Sequence, residues 1–185
     1  MYNVSFQAKY ISTSVVKKKL PSSGYENCRV NFVQFEASDL PVIKKLPRRW
    51  NEGIVHGFVR DAELELKNTN DPSKSSKFYA MTKNACDLNK LKLDDILSIA
   101  EVSYSCLYDM HQIDYLCVEP LSRVNAKPSK GRNYLSLGTQ MLNKIKKLYE
   151  GKDFFLFSMY SAIPFYKSNG FKLVDDELGL MSFEA

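Results

Sequence analysis

Three stretches of this sequence have the residue types and spacing to do chemistry. The first is Arg132-Asn133-Tyr134-Leu135-Ser136-Leu137-Gly138-Thr139, which opens the clearest helical pattern in the chain. A helix N-terminus offers unpaired N–H groups and a partial positive charge, so it can bind phosphate. Ser136 and Gly138 are small enough to let a ligand approach the backbone. Arg123, Lys127, Lys130 and Arg132 would surround such an anion, and residues 121–152 hold eight Lys/Arg against the single acid Glu150. An ordinary helix behind a basic loop would read the same way. The second set is titratable: Glu101, His111 and Asp114, on two adjacent expected strands. Strand alternation puts Asp114 on one face with Leu116 and Val118, and Glu101 on one face with Ile99 and Ser103. An acid on an apolar face is paired, turned to solvent beside a cleft, or functional. The third stretch, Ser158 to Phe171, reads by itself as a core helix closed by Asn169-Gly170, with Phe165 and Phe171 packing.

Elements must hold these groups in place. Cys28 to Glu36 alternates as a strand with one slip. Ser38-Asp39-Leu40-Pro41 starts a helix, and Ile54 to Leu66 carries Val55, Phe58, Val59, Ala62 and Leu66 at helical spacing. Residues 68–76 are a polar, turn-rich loop. Strands are expected at 77–82, 96–104 and 111–118, then a long polar loop over 119–134. Leu135 to Tyr149 is a helix with Met141, Leu142, Ile145, Leu148 and Tyr149 on one face. A buried strand at 153–158, a short helix at 162–168 and strands at 171–174 and 180–183 finish the chain. The order β-α-α-β-β-β-α-β-α-β-β describes a mixed sheet of α/β or α+β type.

The chain has 185 residues, of which 44% are hydrophobic and 25% charged. That is a soluble globular composition, which excludes a disordered, collagenous or disulfide-scaffold protein. No run of about 20 apolar residues suggests a membrane span, and the N-terminus lacks the apolar core of a signal peptide. A cytoplasmic protein that does not bind membranes is expected. The four cysteines, Cys28, Cys86, Cys106 and Cys117, form no CxxC and lie near neither histidine at ligand spacing, so no metal is expected. The net charge of +5 is concentrated in residues 1–60, with ten Lys/Arg against four Asp/Glu, and in residues 121–152. Beside the only tryptophan, Trp50, the cluster Lys44, Lys45, Arg48 and Arg49 would suit an acidic acceptor, an RNA or simple solubility.

Together the first and third stretches resemble the GNAT superfamily of N-acetyltransferases. The family's turn, Q/R-x-x-G-x-G/A, is filled by Asn133-Tyr134-Leu135-Ser136-Leu137-Gly138, with Asn133 in place of Gln/Arg and Ser136 in place of the middle Gly. Gly138-Thr139-Gln140-Met141-Leu142 matches the G-x-x-L-L helix start that follows. A-x-x-F-Y-x-x-x-G-F stands without a gap as Ala162-Ile163-Pro164-Phe165-Tyr166-Lys167-Ser168-Asn169-Gly170-Phe171. The resemblance covers about 29–185, as one domain, and leaves 1–28 as an N-terminal extension.

The resemblance implies a mixed sheet of about seven strands flanked by helices. It also implies acetyl-CoA as co-substrate and direct transfer of its acetyl group to a primary amine. The pantetheine arm would run along Leu116, Cys117 and Val118, in a gap opened against the strand at 155–157. The pyrophosphate would sit on the N–H groups of Leu135 to Thr139, with Arg132, Asn133, Tyr134 and Ser158 also at the cofactor. Tyr166 matches the family's proton donor to the departing thiolate, and a phenol of pKa about 10 is protonated at neutral pH. Asp114 and Glu101 are the candidate bases, beside His111. The acceptor amine is not legible in the sequence. A CoA-binding module without turnover and an enzyme for RNA-borne amines such as charged tRNA are the alternative readings. The sequence shows no interleaving of basic and aromatic residues to favour nucleic acid, and it leaves a homodimer open.

Overall fold

The computed structural model describes residues 8–67, 76–123 and 132–185. Lys127 and Lys130, and the polar loop except for Ser76, lie outside those residues. The described strands are β1 (Lys9–Lys19), β2 (Tyr25–Gln34), β3 (Lys77–Lys83), β4 (Ile96–Ser105), β5 (Met110–Val118), β6 (Tyr134–Leu135), β7 (Phe154–Phe157), β8 (Lys172–Asp175) and β9 (Leu180–Phe183). The helices are α1 (Leu40–Ile43), α2 (Leu46–Arg49), α3 (Gly53–Lys67), α4 (Leu137–Leu148) and α5 (Ile163–Ser168).

One mixed sheet runs β6-β1-β2-β3-β4-β5-β7-β9-β8. It has two more strands than the expected seven. One is β1, inside the segment read as an extension, which pairs with β2 along its length. The other is the two-residue β6, which takes Tyr134 from the expected loop and Leu135 from the expected helix start and pairs with β1 through Lys17–Leu135 and Lys18–Tyr134. Every neighbouring pair is antiparallel except β5–β7, which the α4 crossover joins in parallel.

Period-two alternation divides the core between the two faces of the sheet. Phe32, Tyr79, Met81 and Ala100 pack toward α4, whose Leu137, Met141, Leu142 and Ile145 form one apolar stripe. Val33, Phe78, Ala80 and Ile99 pack on the other face against Val55, Phe58 and Ala62 of α3 and against Trp50, all fully buried. The three-layer arrangement leaves β4 and β5 covered on both faces. β5 is also the strand on which the candidate residues concentrate. No helix among the described residues is long and apolar enough to cross a membrane.

Candidate active site

The parallel pair β5–β7 is joined only at His111–Phe154 and Gln112–Phe155. Beyond that point the strands part. Two features mark the divergence. β7 ends at Phe157, and Ser158 stays with β9, extending that ladder by donating its N–H to the carbonyl of Gly179 at 2.8 Å. Gly179 has φ +63, and a Cβ there would collide with the Ser158 carbonyl, so this contact requires glycine. On β5 the register against β4 slips between Tyr115–Glu101 and Ile113–Val102, which leaves Asp114 as the extra residue of a β-bulge. A bulge bends its strand and disrupts the ladder locally. From Ile113 to Val118, β5 has no strand partner on its β7 side among the described residues.

The bulge also corrects the expected placement of Asp114. Leu116 and Val118 pack on the α4 side of the sheet, and so does Ile113. Strict alternation is broken between them, and Asp114 turns toward α3. There it accepts a hydrogen bond from the Ser103 hydroxyl at 2.6 Å and feels the charge of Asp61. Burial, chiefly, raises its pKa above the usual aspartate range, and Asp61 adds to the shift. Glu101 lies on the α3 face as alternation requires. It is 3% exposed, hydrogen-bonds with Ser76, and is pushed up to about 8 by burial first and by Asp114 second. His111 stands at the closed end of the gap, where its ring packs against Tyr149 at 4.8 Å and Tyr104 at 5.4 Å. This location separates it from the open edge.

The mouth of the gap is formed where β5, α4 and α5 converge. A Cβ on Gly138 would stand 3.0 Å from the Phe165 ring and 3.7 Å from Val118. The bare side of this glycine therefore faces α5 and the end of β5, and it lets the three elements close on one another. Tyr166 is buried between Phe165 and Phe171, with ring centroids at 5.1 and 5.7 Å. Its hydroxyl makes no hydrogen bond with the described residues. Burial, with a smaller contribution from Cys117, pushes its pKa up to about 12. Tyr166 belongs to the apolar cluster against which Leu116 and Val118 of β5 pack.

The turn before α4 is braced from two sides. Asn133 donates its N–H to Leu121 and accepts from the Lys19 N–H, and the Tyr134 N–H donates to the Ser122 hydroxyl. The amides of Asn133 and Tyr134 are thus already used. Ser122 also donates to Glu119, a buried carboxylate that Arg49 contacts at 3.0 Å. Ser136 then takes φ +66, a left-handed conformation costly for a residue with a Cβ. Its side chain caps nothing, and the first amide bonded inside the helix is that of Gln140, to the Ser136 carbonyl. Leu137, Gly138 and Thr139 are left as the helix's open donors. Of the expected cations, Arg132 is half-buried beside this turn. Arg123 is engaged elsewhere, donating to the Val118 carbonyl at 2.9 Å and to Cys117 Sγ at 2.9 Å and pairing with Glu52.

Sequence reasoning missed three contributors. Glu119 and Arg49 form a buried ion pair between distant segments, which no local pattern announces. Lys17 and Lys18 sit opposite the turn before α4 only because β1 pairs with β6. Asp61 reaches the site from α3 by accepting from the Tyr115 hydroxyl at 3.0 Å. Gly57, one turn earlier, makes this possible, since a Cβ there would lie 2.5 Å from that hydroxyl. Of the basic cluster near Trp50, Lys44 pairs with Glu63 and Arg49 with Glu119. All four cysteines are free, and no group of three His, Cys, Asp or Glu converges as metal ligands among the described residues.

Neither a protein-family model nor a curated protein matches this sequence. Solved structures do. The chain is similar to a histone acetyltransferase HPA2-related acetyltransferase from Corynebacterium glutamicum, with TM-score 0.53 and 11% identity over 83% of this chain and 96% of that one. It is similar to a GNAT-family acetyltransferase from Staphylococcus aureus, with TM-score 0.51 and 16% identity over 80% and 86% of the two chains. It is similar to an aminoglycoside 6'-acetyltransferase of type Ii, with TM-score 0.51 and 13% identity over 83% and 96%. The likeness runs over most of each chain, and the fold of this chain is that of the GNAT acyltransferases.

Proposed function

We propose that this protein transfers an acetyl group from acetyl-CoA to a primary amine. The observation that carries the reading is the open edge of β5. A strand edge covered on both faces, unpaired from Ile113 to Val118, leads from buried acids at its closed end to the free donors of α4 at its mouth. An extended amide-bearing ligand satisfies such an edge as an added strand would. Leu116 and Cys117 would meet the pantetheine arm, with Val118 bordering it through its side chain because its carbonyl is taken by Arg123. Leu137, Gly138 and Thr139 would hold the pyrophosphate, with Ser136 at the turn and Arg132 beside it.

Acetyl-CoA supplies an activated carbonyl and a thiolate leaving group. The chain's residues must hold the amine neutral, exclude water and return a proton to the sulfur. Asp114 stands where the edge opens and is only half-buried, so we assign it the proton leaving the ammonium, with Glu101 buried behind it. Their raised pKa values bring both carboxyls nearer to neutral pH, where a general base works best. Tyr166 donates to the sulfur as the carbon–sulfur bond breaks. Its raised pKa keeps it protonated, and the same burial makes a thiolate formed beside it more basic.

The test is calorimetric titration with CoA, then release of free thiol from acetyl-CoA with a panel of amines. CoA binding with amine-dependent thiol release supports the assignment. CoA binding without release for any amine leaves a binding module. Absence of CoA binding removes the cofactor and the reading with it.

A further inference from the structure

The α3 face of the site holds more acid than one proton transfer needs. Asp61 and Glu65 stand one turn apart on α3, Glu101 lies beneath them on β4, and Asp114 projects from the bulge of β5; Glu101 feels the charge of the other three, and Asp114 also that of Asp61. The polar groups around them are used in order. Ser103 donates to Asp114 Oδ2 and Tyr115 to Asp61 Oδ2, while Arg60 donates to Asp61 Oδ1 at 2.9 Å from the solvent side. Ser76 hydrogen-bonds with Glu101. Glu101 Oε2 then has no hydrogen-bond partner among the described residues, although the residue is 3% exposed. A buried carboxylate oxygen without a donor is costly, and three more carboxylates around it raise that cost. Asp61, Glu65 and Asp114 are half-buried and form a rim over it. Among the described residues, four carboxylates thus face one guanidinium, and the acidic well they outline has an unsatisfied acceptor, shut off from solvent, at its floor.

The missing partner is a cation with several hydrogens. The carboxylates do not converge as metal ligands. A primary ammonium carries three donors on one centre and can reach a floor oxygen and two rim oxygens together. Asp114 lies on the unpaired edge of β5, so the well adjoins the proposed place of transfer. We propose that it binds the second, non-reacting ammonium of the acceptor, which makes the acceptor an alkyl diamine or polyamine; an amine bearing a carboxylate is repelled. The position of the reacting amine rests on the acyl-transfer reading; occupation of the well by a cation does not. Burial and its acidic neighbours hold the Glu101 pKa near 8, and a bound ammonium reverses the second of these causes.

The probes are 1,4-diaminobutane, 1-aminobutane and 4-aminobutanoate, titrated into the full chain by calorimetry without CoA. Diaminobutane should bind at least about tenfold tighter than aminobutane, and aminobutanoate weakest. Asp61→Asn should weaken diaminobutane by roughly ten- to a hundredfold, the scale of a hydrogen bond to a charged group, and leave CoA binding as it was. In the unsubstituted protein, carboxyl carbon resonances followed against pH should show the Glu101 midpoint falling when diaminobutane is added. Equal affinity for the diamine and the monoamine, or an unmoved Glu101 midpoint, overturns the proposal whatever the variant does. Thiol release from acetyl-CoA is scored separately. Diamine binding without thiol release sinks the acyl-transfer reading and leaves the well. Thiol release that is indifferent to the second ammonium does the reverse.

Discussion

Replacing Glu101 by Gln should invert the way stability depends on pH. Glu101 has a folded-state pKa of about 8 against an ordinary value of 4.5. A carboxyl whose pKa is raised on folding binds its proton more tightly in the native state. Stability therefore falls as pH rises from the unfolded value through the folded one. The window is from about pH 4.5 to about pH 8, and each unit of separation is worth about 1.4 kcal/mol. The ceiling on the loss is thus about 5 kcal/mol. Burial sets most of it, followed by Asp114 from β5, with the Ser76 hydroxyl acting against the shift and Asp61 and Glu65 from α3 adding to it. The share owed to the half-buried carboxylates is partly screened by water, so a loss of about 2–3 kcal/mol is expected. Gln has the same shape and no charge to bury. Urea unfolding at pH 5, 6.5, 8 and 9 measures the effect, followed by the fluorescence of Trp50, the only tryptophan and fully buried. At pH 5 the variant should match the parent or be slightly weaker. At pH 9 it should be the more stable by the amount above. Parallel curves for the two proteins across this range would refute the argument, because they would mean that Glu101 titrates alike in both states.

Other perturbations test the remaining parts. Tyr166→Phe removes a hydroxyl that has no hydrogen-bond partner among the described residues, so stability should change by no more than about 1 kcal/mol; CoA binding should persist while turnover falls roughly 10²–10⁴-fold. A near-normal rate in the folded variant would remove Tyr166 from the chemistry. CoA at a hundredfold excess over its dissociation constant should add about 2.7 kcal/mol of stability, seen as a raised Tm, and free acetate should not. Ser136→Gly relieves a left-handed residue and clears the turn, so CoA should bind more tightly with no loss of stability; weaker binding would show that the serine side chain contributes to the site. Gly57→Ala drives a methyl into the Tyr115 hydroxyl and should cost about 1–3 kcal/mol in chemical unfolding. An unchanged midpoint would mean that Tyr115 moves aside freely.

Much of this arrangement was legible in the sequence because it is local. The helix expected from Leu135 and observed from Leu137, the strands around Glu101 and Asp114, and the turn at Asn169-Gly170 follow from periodicity and turn chemistry within a few residues. Less legible was everything that depends on pairing at a distance. Asp114 changed faces because of a bulge, and a one-residue slip flips a side chain without any trace in the alternation of β5 alone. Lys9–Lys19 alternates as a strand should, yet its role needed β6, two residues too short to read as an element. Gly138 matched the family pattern, and in the structure the neighbour it admits is Phe165. A motif shows that space is needed and leaves open what fills it. Asp61 lay on a helix with an ordinary polar face, and only the reach of Tyr115 ties it to the site.

The pairing of β1 with β6 has a consequence for how the protein comes to be competent. Lys17 and Lys18 meet Leu135 and Tyr134 from more than half the chain away. Contacts between such remote segments form late, because the entropy of closing the intervening loop must first be overcome by nearer contacts. During synthesis, the strand emerging first must wait for the turn emerging long after it. Until they meet, the rest of the sheet can assemble around an unfinished mouth. Shortening the chain from its start should therefore yield a protein that keeps most of its secondary structure and exchanges its amide hydrogens fastest at residues 132–139. Closure of the turn before α4 would then mark the last step of maturation.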